Sequence, residues 1–173
     1  MKKAFTLFEI IIAIILISLL YYFAIDSFDK KQLLVQDKIT LFNLKSTLLK
    51  YEFDNDIEVK CIDDRFDCFL FIDGAIQQKK LPSFFDKKPI IYKYQKDLEQ
   101  IEYLTLELEA LEKYDIIFDY KCIKSGKCTE SIVETEEKVY IFNDLYNKPD
   151  IIDTISDINQ YFTKKEEEVK DAF

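Results

Sequence analysis

The sequence contains no histidine and no tryptophan, and in 173 residues it has one arginine (Arg65) and two glycines (Gly74 and Gly126). Without histidine, the Ser-His-Asp and Cys-His arrangements of nucleophilic catalysis cannot form, and neither can a zinc site that uses imidazole. Two isolated glycines cannot supply the glycine-rich loop of a nucleotide-binding site. These absences exclude most soluble enzyme classes. We therefore expect no catalytic residues, metal, cofactor or small-molecule substrate.

The charge balance is acidic, with 33 acidic against 24 basic side chains and a formal net charge of −9. Binding to nucleic acid without sequence preference requires a surplus of lysine and arginine that neutralises phosphates. We therefore do not expect nucleic acid as a partner. Hydrophobic residues make up 49% of the chain, which predicts a folded protein rather than a disordered one.

A long apolar segment follows Lys2 and Lys3 at the N-terminus. It runs from Phe5 to Ile25 and carries one charged residue, Glu9. A helix of this length rises about 32 Å, which matches the hydrocarbon core of a bilayer at about 30 Å. Lysines before such a segment favour a cytoplasmic N-terminus. The pattern predicts one membrane span with the bulk of the chain on the outer side.

Three interpretations of this segment compete. A secretory signal peptide has a shorter apolar region and a small-residue cleavage site, whereas this segment ends in bulky residues. A plain membrane anchor does not explain Glu9, because a carboxylate in the middle of a spanning helix costs about 2–3 kcal/mol. The third interpretation must give Glu9 a partner.

The string KAFTLFE at residues 3–9, with the isoleucine-rich run after it, resembles the N-terminus of type IV pilins and of the pseudopilins of type II secretion and competence systems. The resemblance implies that prepilin peptidase cleaves between Ala4 and Phe5, that Phe5 is then N-methylated, and that Glu9 directs filament assembly. Glu9 would neutralise the N-terminal amine of a neighbouring subunit, since each charge alone is costly in a medium of low dielectric constant. The family usually has glycine before the cut. Ala4 therefore predicts slower processing.

The fold class expected from the sequence is α+β, with a long N-terminal helix packed on a small, mainly antiparallel sheet. Apolar residues continue at helical spacing as far as Phe53, and lysines such as Lys45 occupy the rest of that surface. A free two-stranded coiled coil is the alternative for this stretch. Alternating apolar residues then predict strands, and a last helical pattern begins at Asp150. The predicted strands cover residues 57–61, 66–72, 90–94, 104–108, 116–122 and 138–142, with a surface loop at 74–89. The predicted parts are a leader at 1–4, a transmembrane half-helix at 5–25, an amphipathic half-helix at 26–53, a β-rich periplasmic head at 54–149 and a C-terminal amphipathic helix at 150–173.

Four cysteines lie beyond the apolar segment, and an even number in an oxidising compartment predicts two disulfides. Cys61 and Cys68 bracket one turn, and Cys122 and Cys128 bracket another. Two hairpin-closing disulfides, Cys61–Cys68 and Cys122–Cys128, are therefore the preferred pairing. Long cross-links between the two hairpins are the alternative.

Two further patterns have a plain and a functional interpretation. The carboxylates at 134–137 and 166–168 are expected to be solvated, and their spacing does not match an ordered calcium site. The loop at 79–88 interleaves lysines with Phe84 and Phe85, a composition that suits a partner surface or single-stranded nucleic acid. In an acidic chain, a partner surface or a plain loop is the better expectation.

These features predict a structural pilin-like subunit, a minor pilin or a pseudopilin, in a type IV pilus, a type II secretion filament or a DNA-uptake filament. Its expected location is the bacterial inner membrane, as a single-pass protein with the head in the periplasm or in the extracellular filament. The resemblance implies prepilin peptidase, other pilin-like subunits, an inner-membrane assembly platform and the lipid bilayer as partners. The alternative is a membrane-anchored periplasmic binding protein that does not polymerise.

Overall fold

A computed structural model describes residues 11–18, 39–78, 80–107 and 113–170. The chain forms two compact units, Met1–Asp37 and Lys38–Phe173. In the first unit, residues 11–18 are helical (α1). The Ser18 hydroxyl donates a hydrogen bond of 2.8 Å to the main-chain oxygen of Ile14, one turn earlier.

The second unit contains two antiparallel sheets. The first has the strand order β3-β2-β1-β6-β5 and the second has the order β4-β7-β8-β9. The strands are β1 (Asp56–Ile62), β2 (Cys68–Ile72), β3 (Ala75–Ile76), β4 (Ile90–Lys93), β5 (Thr105–Glu107), β6 (Lys113–Ile123), β7 (Ser131–Glu134), β8 (Val139–Phe142) and β9 (Asp150–Ile152). The helices are α2 (Leu44–Leu48), which follows a 3-10 turn at Leu41–Asn43, and α3 (Ile158–Lys170), which follows a 3-10 turn at Ile155–Asp157.

The main core contains side chains from both sheets and from α2. In β1, alternate residues Ile57, Val59 and Cys61 are fully buried in this core. The neighbouring strand β6 contributes Phe118 and Tyr120, whose rings stack 6.3 Å apart. β-Branched and aromatic residues suit such a half-buried pleated surface, so the polar residues between them lie on the outer face of the first sheet.

The second sheet is covered on both faces. In β7, Val133 belongs to the main core, whereas its neighbour Ile132 belongs to a smaller cluster with Ile158 of α3. In β8, Phe142 and Ile141 divide between the two clusters in the same way. Helix α3 therefore packs on the face of the second sheet that points away from the main core.

The predicted fold class, with its long N-terminal helix, is wrong. The described helices are short, and the predicted helix does not continue through residues 39–53. Thr40 has an extended backbone (φ −135°, ψ 163°), and its N–H donates 2.8 Å to Oδ1 of Asn43. This side-chain bond satisfies a helix-start donor locally, so a new turn begins at Leu41. Leu48 ends α2, and the main-chain N–H of Tyr51 then bonds to the Leu48 oxygen.

The predicted single-pass location in the inner membrane is also contradicted. Among residues 11–18, 39–78, 80–107 and 113–170, no helix has the length and the apolar character that crossing a bilayer requires. Helix α3 has 13 residues, and the five from Lys164 to Glu168 are all charged. Helix α2 has five residues.

The C-terminal helix begins later than predicted. Residues Asp150–Ile152 form β9, which pairs with β8, and α3 starts at Ile158. Strands β1, β2, β4, β6 and β8 overlap the predicted strands, whereas β3 and β7 were not predicted. The predicted strand at 104–108 corresponds to β5, which covers Thr105–Glu107.

Candidate functional site

The three residues that the pilin resemblance singles out, Ala4, Phe5 and Glu9, lie outside the described residues. Cleavage after Ala4, methylation of Phe5 and the assembly role of Glu9 therefore remain predictions.

Both predicted disulfides are present in the second unit. Cys61 and Cys68 are directly opposed on β1 and β2 and form one disulfide. Cys122 of β6 and Cys128 form the other, across an isolated bridge. Each disulfide closes a hairpin, and the alternative of long cross-links between the hairpins is wrong. All four cysteines are buried, which gives them a structural role.

The lysine-aromatic loop does not present its aromatic rings as a binding platform. Phe85 is buried and packs edge-on against Phe118 at 5.5 Å, and Phe84 contacts the same ring at 6.4 Å. Lys80 pairs with Asp67 at 2.6 Å, and Lys87 pairs with Glu136. The rings anchor the loop to the main core, so they are not available for stacking on bases.

Several carboxylates of the two runs contact a hydroxyl or ammonium group of another side chain. The Tyr92 hydroxyl donates 2.9 Å to Glu134, Lys96 pairs with Glu166 at 2.7 Å, and Lys165 lies 3.3 Å from Glu168. Within the described part of the chain, no group of three or more cysteine, aspartate or glutamate side chains is arranged to hold a metal ion.

A cluster of five charged side chains lies on the outer face of the first sheet. We call Asp56, Glu58, Lys60, Asp119 and Lys121 the outer-face cluster. The register of β1 and β6 places Lys60 opposite Asp119 and Glu58 opposite Lys121. Lys60 Nζ lies 2.9 Å from Glu58 Oε2 and 3.7 Å from Asp119 Oδ2, and Lys121 Nζ lies 2.8 Å from Asp56 Oδ2.

This cluster is only partly solvated. The side chains of Glu58, Lys60 and Asp119 are 14%, 19% and 23% exposed. The Lys60 ammonium lies 5.6 Å from the centre of the Phe71 ring on β2. Such a contact with the ring face attracts the cation and shields one side of it from water.

Asp119 is the carboxyl group most perturbed by this environment. Burial, followed by the neighbouring Glu58 carboxylate, raises the pKa of Asp119 from its ordinary 3.8 to about 7, while Lys60 and Lys121 act in the opposite direction. The Tyr103 phenol lies beside Asp119, and burial together with the negative charge of Asp119 raises its pKa. Asp119 can therefore carry a proton near neutral pH, which an exposed aspartate does not do.

A second feature is a groove of about 400 Å³ between β9 and α3. The Tyr161 hydroxyl donates 2.8 Å to Asp150 Oδ2, and Lys165 Nζ lies 3.6 Å from the same oxygen. These contacts fasten α3 to β9 across the groove. The groove therefore marks the junction where α3 packs beside β9. The outer-face cluster is the stronger candidate site.

Sequence reasoning missed the outer-face cluster because it used the alternation in β1 and β6 only to predict strands. The alternating charges at 58, 60, 119 and 121 were visible in the sequence. Their convergence depends on which strands pair and in what register, and periodicity does not provide that information.

Comparison with known proteins adds no relative to these observations. No family model, no curated protein and no solved structure matches the chain.

Proposed function

We propose that the protein is a structural subunit of a pilin-like filament. The observation that carries this proposal is the exposure of α1, whose six large aliphatic side chains each show 41–65% of their surface: Ile11, Ile12, Ile14, Ile15, Leu16 and Ile17. A continuous apolar surface of this kind marks an interaction site. We infer that its occupant is the same helix of neighbouring subunits.

The N-terminal motif supports this occupant over an unrelated partner. Cleavage between Ala4 and Phe5 would create a cationic amine on Phe5, and Glu9 would supply the opposite charge about one helical turn away. Pairing Glu9 of one subunit with the amine of the next would set the axial register of packed helices. The partners in this proposal are prepilin peptidase and other pilin-like subunits.

The second unit fits the role of the subunit head. Two hairpin-closing disulfides, Cys61–Cys68 and Cys122–Cys128, reinforce its main sheet. Disulfides persist under oxidising conditions, and these two would keep the head folded in an assembled filament.

Processing is tested by intact mass and N-terminal sequencing of the protein recovered from the cells that naturally make it. We expect a chain that begins at Phe5 and carries one added methyl group. An Ala4→Gly variant should be processed at least as completely. Recovery of a chain that begins at Met1, or at any residue other than Phe5, would contradict the proposal.

Assembly is tested with Glu9→Gln, which removes the charge and keeps the shape of the side chain. We expect this variant to be processed and to form both disulfides but to be absent from the sheared filament fraction. Glu137→Gln, an exposed position in the turn between β7 and β8, is the matched control and should assemble normally. Filaments that contain Glu9→Gln at the level of the unmodified protein would favour an interaction protein that does not polymerise.

A further inference from the structure

An amine and two carboxyl groups meet between the central strands of the first sheet. Lys60 of β1 lies directly opposite Asp119 of β6, with its Nζ 3.7 Å from Asp119 Oδ2. The same Nζ is 2.9 Å from Glu58 Oε2. The Lys60 amine can act as a nucleophile, the Asp119 carboxyl group carries an electrophilic carbon, and the Glu58 carboxylate can accept a proton. The three groups therefore already lie close together.

The surroundings favour chemistry between these groups rather than a freely solvated ion pair. All three side chains are less than a quarter exposed. The Phe71 ring lies beside the Lys60 ammonium, and Tyr103 lies beside Asp119. Burial and Glu58 raise the pKa of Asp119 to about 7, so its carboxyl group is protonated in part of the molecules at neutral pH. A protonated carboxyl accepts attack by an amine at its carbon, whereas a carboxylate resists it.

We propose that Lys60 and Asp119 become joined by an intramolecular isopeptide bond, with Glu58 carrying the protons. The bond would link the side chains of β1 and β6 covalently, in addition to the main-chain hydrogen bonds between these two strands. It makes the outer-face cluster a site of self-modification, independent of whether the chain assembles into filaments.

The steps balance without a further reactant. Glu58 takes a proton from the Lys60 ammonium, and the neutral amine attacks Cγ of protonated Asp119 to form the C–N bond. Glu58 returns that proton to the departing hydroxyl, the C–O bond breaks and one water leaves. The surplus proton on nitrogen passes to Glu58 and then to solvent. The products are an amide, water and a Glu58 carboxylate with one proton released.

In solution, an amine and a carboxylic acid form an amide readily only when the acid has been activated. In the folded protein, contact between Lys60 and Asp119 takes the place of that activation. Intramolecular placement is equivalent to a very high effective concentration, on the order of 10⁵ M or more when the groups are well oriented. The nearby pair Lys121–Asp56, also between β1 and β6, has a closer contact at 2.8 Å, but its Lys121 side chain is 43% exposed. The Lys121–Asp56 pair is the natural internal control, because it joins the same two strands but is more exposed to solvent.

The experiment is peptide mapping of the purified full-length protein after reduction, alkylation and proteolysis. We expect a branched peptide that contains both Lys60 and Asp119 and is lighter than the sum of its two parts by one water. Lys60→Arg keeps the cation but should yield only linear peptides, as should Asp119→Ala. Glu58→Gln should lose the branched peptide, and Lys88→Arg, at an exposed position outside the outer-face cluster, should retain it.

Several outcomes would overturn the proposal. Linear peptides of full mass in the unmodified protein would do so, and this measurement does not depend on whether any variant folds. Loss of water at Asp119 in a linear peptide would show a succinimide instead of a cross-link. A branched peptide that persists in Glu58→Gln would remove Glu58 from the mechanism. Intact Cys61–Cys68 and Cys122–Cys128 disulfides in each non-reduced variant confirm that it has folded.

Discussion

Lys45 shows how one buried charge connects distant parts of the second unit. The residue is 4% exposed, and its Nζ donates 2.7 Å to the main-chain oxygen of Asp144 and lies 3.4 Å from Asp144 Oδ1. Asp144 Oδ1 also accepts a hydrogen bond of 2.8 Å from the Cys128 N–H, and these two partners lower the pKa of Asp144. Helix α2 is thereby tied to the segment after β8 and to the second disulfide hairpin.

We predict that Lys45→Met lowers the free energy of unfolding by about 2–3 kcal/mol, because the main-chain oxygen of Asp144 loses its charged hydrogen-bond donor. The measurement is the urea midpoint at neutral pH. Lys88→Met, at an exposed position, is the control and should change stability by less than about 0.5 kcal/mol. Equal shifts of the urea midpoint in the two variants would mean that the buried Lys45–Asp144 contact contributes nothing beyond packing.

At the level of secondary-structure elements, each disulfide closes one hairpin of the first sheet. The sequence separations are 7 and 6 residues, and closing loops of that length stabilises a protein by about 2 kcal/mol in the chain-entropy model. Replacing Cys122 and Cys128 together by serine should cost about that amount, measured by urea unfolding without reductant. Replacing Cys61 and Cys68 together is the matched comparison. A reductant that leaves the stability of the unmodified protein unchanged would contradict this expectation.

Ile158 is the residue of helix α3 that is buried against the second sheet. Ile158 is 1% exposed and packs with Ile132, Val139 and Ile141 of the second sheet. We predict that Ile158→Ala costs about 2–4 kcal/mol, through lost burial and the cavity left behind. Val169→Ala on the same helix is the control, since Val169 is 60% exposed. Thermal unfolding monitored by circular dichroism would compare them, and similar midpoints would show that α3 does not stabilise the sheet.

The sequence predicts some of these elements and misses others for identifiable physical reasons. Strands β1 and β6 alternate in polarity because each has one core-facing side. In β7, Ile132 and Val133 face two different apolar clusters, so no alternation marks the strand. The apolar spacing that begins at Ile151 fits a helix, yet pairing with β8 makes residues 150–152 a strand. Lys45 belongs to a polar stripe in the sequence, and its partner lies 99 residues away.

At the scale of the whole molecule, the dependence of stability on pH follows from carboxyl groups with shifted pKa values, and in the described part of the chain these shifts have both signs. Hydrogen bonds and neighbouring lysines lower the pKa of one group, which comprises Asp73, Glu99, Asp144, Asp153 and Glu166. Because their folded pKa values lie below the unfolded ones, they stabilise the fold above about pH 4 and lose that effect as the pH falls through the folded values. A free Asp119 carboxyl would act in the opposite direction, since its folded pKa is raised.

The Lys60→Arg protein isolates the Asp119 effect, because arginine keeps the cation but is not expected to form the amide. The folded state of this variant should bind more protons than the unfolded state between pH 3.8 and about 7. Its stability should therefore fall as the pH rises through that window, by at most about 4 kcal/mol. Urea midpoints from pH 5 to pH 8 measure this slope.

Two comparisons make that slope informative. Adding Asp119→Asn to Lys60→Arg removes the titrating group and should flatten the profile. The unmodified protein should also be flat over this range, because an amide at Asp119 does not titrate. If the unmodified protein instead shows the same decline as Lys60→Arg, Asp119 is a free carboxyl and the strands β1 and β6 are joined there by an ion pair alone.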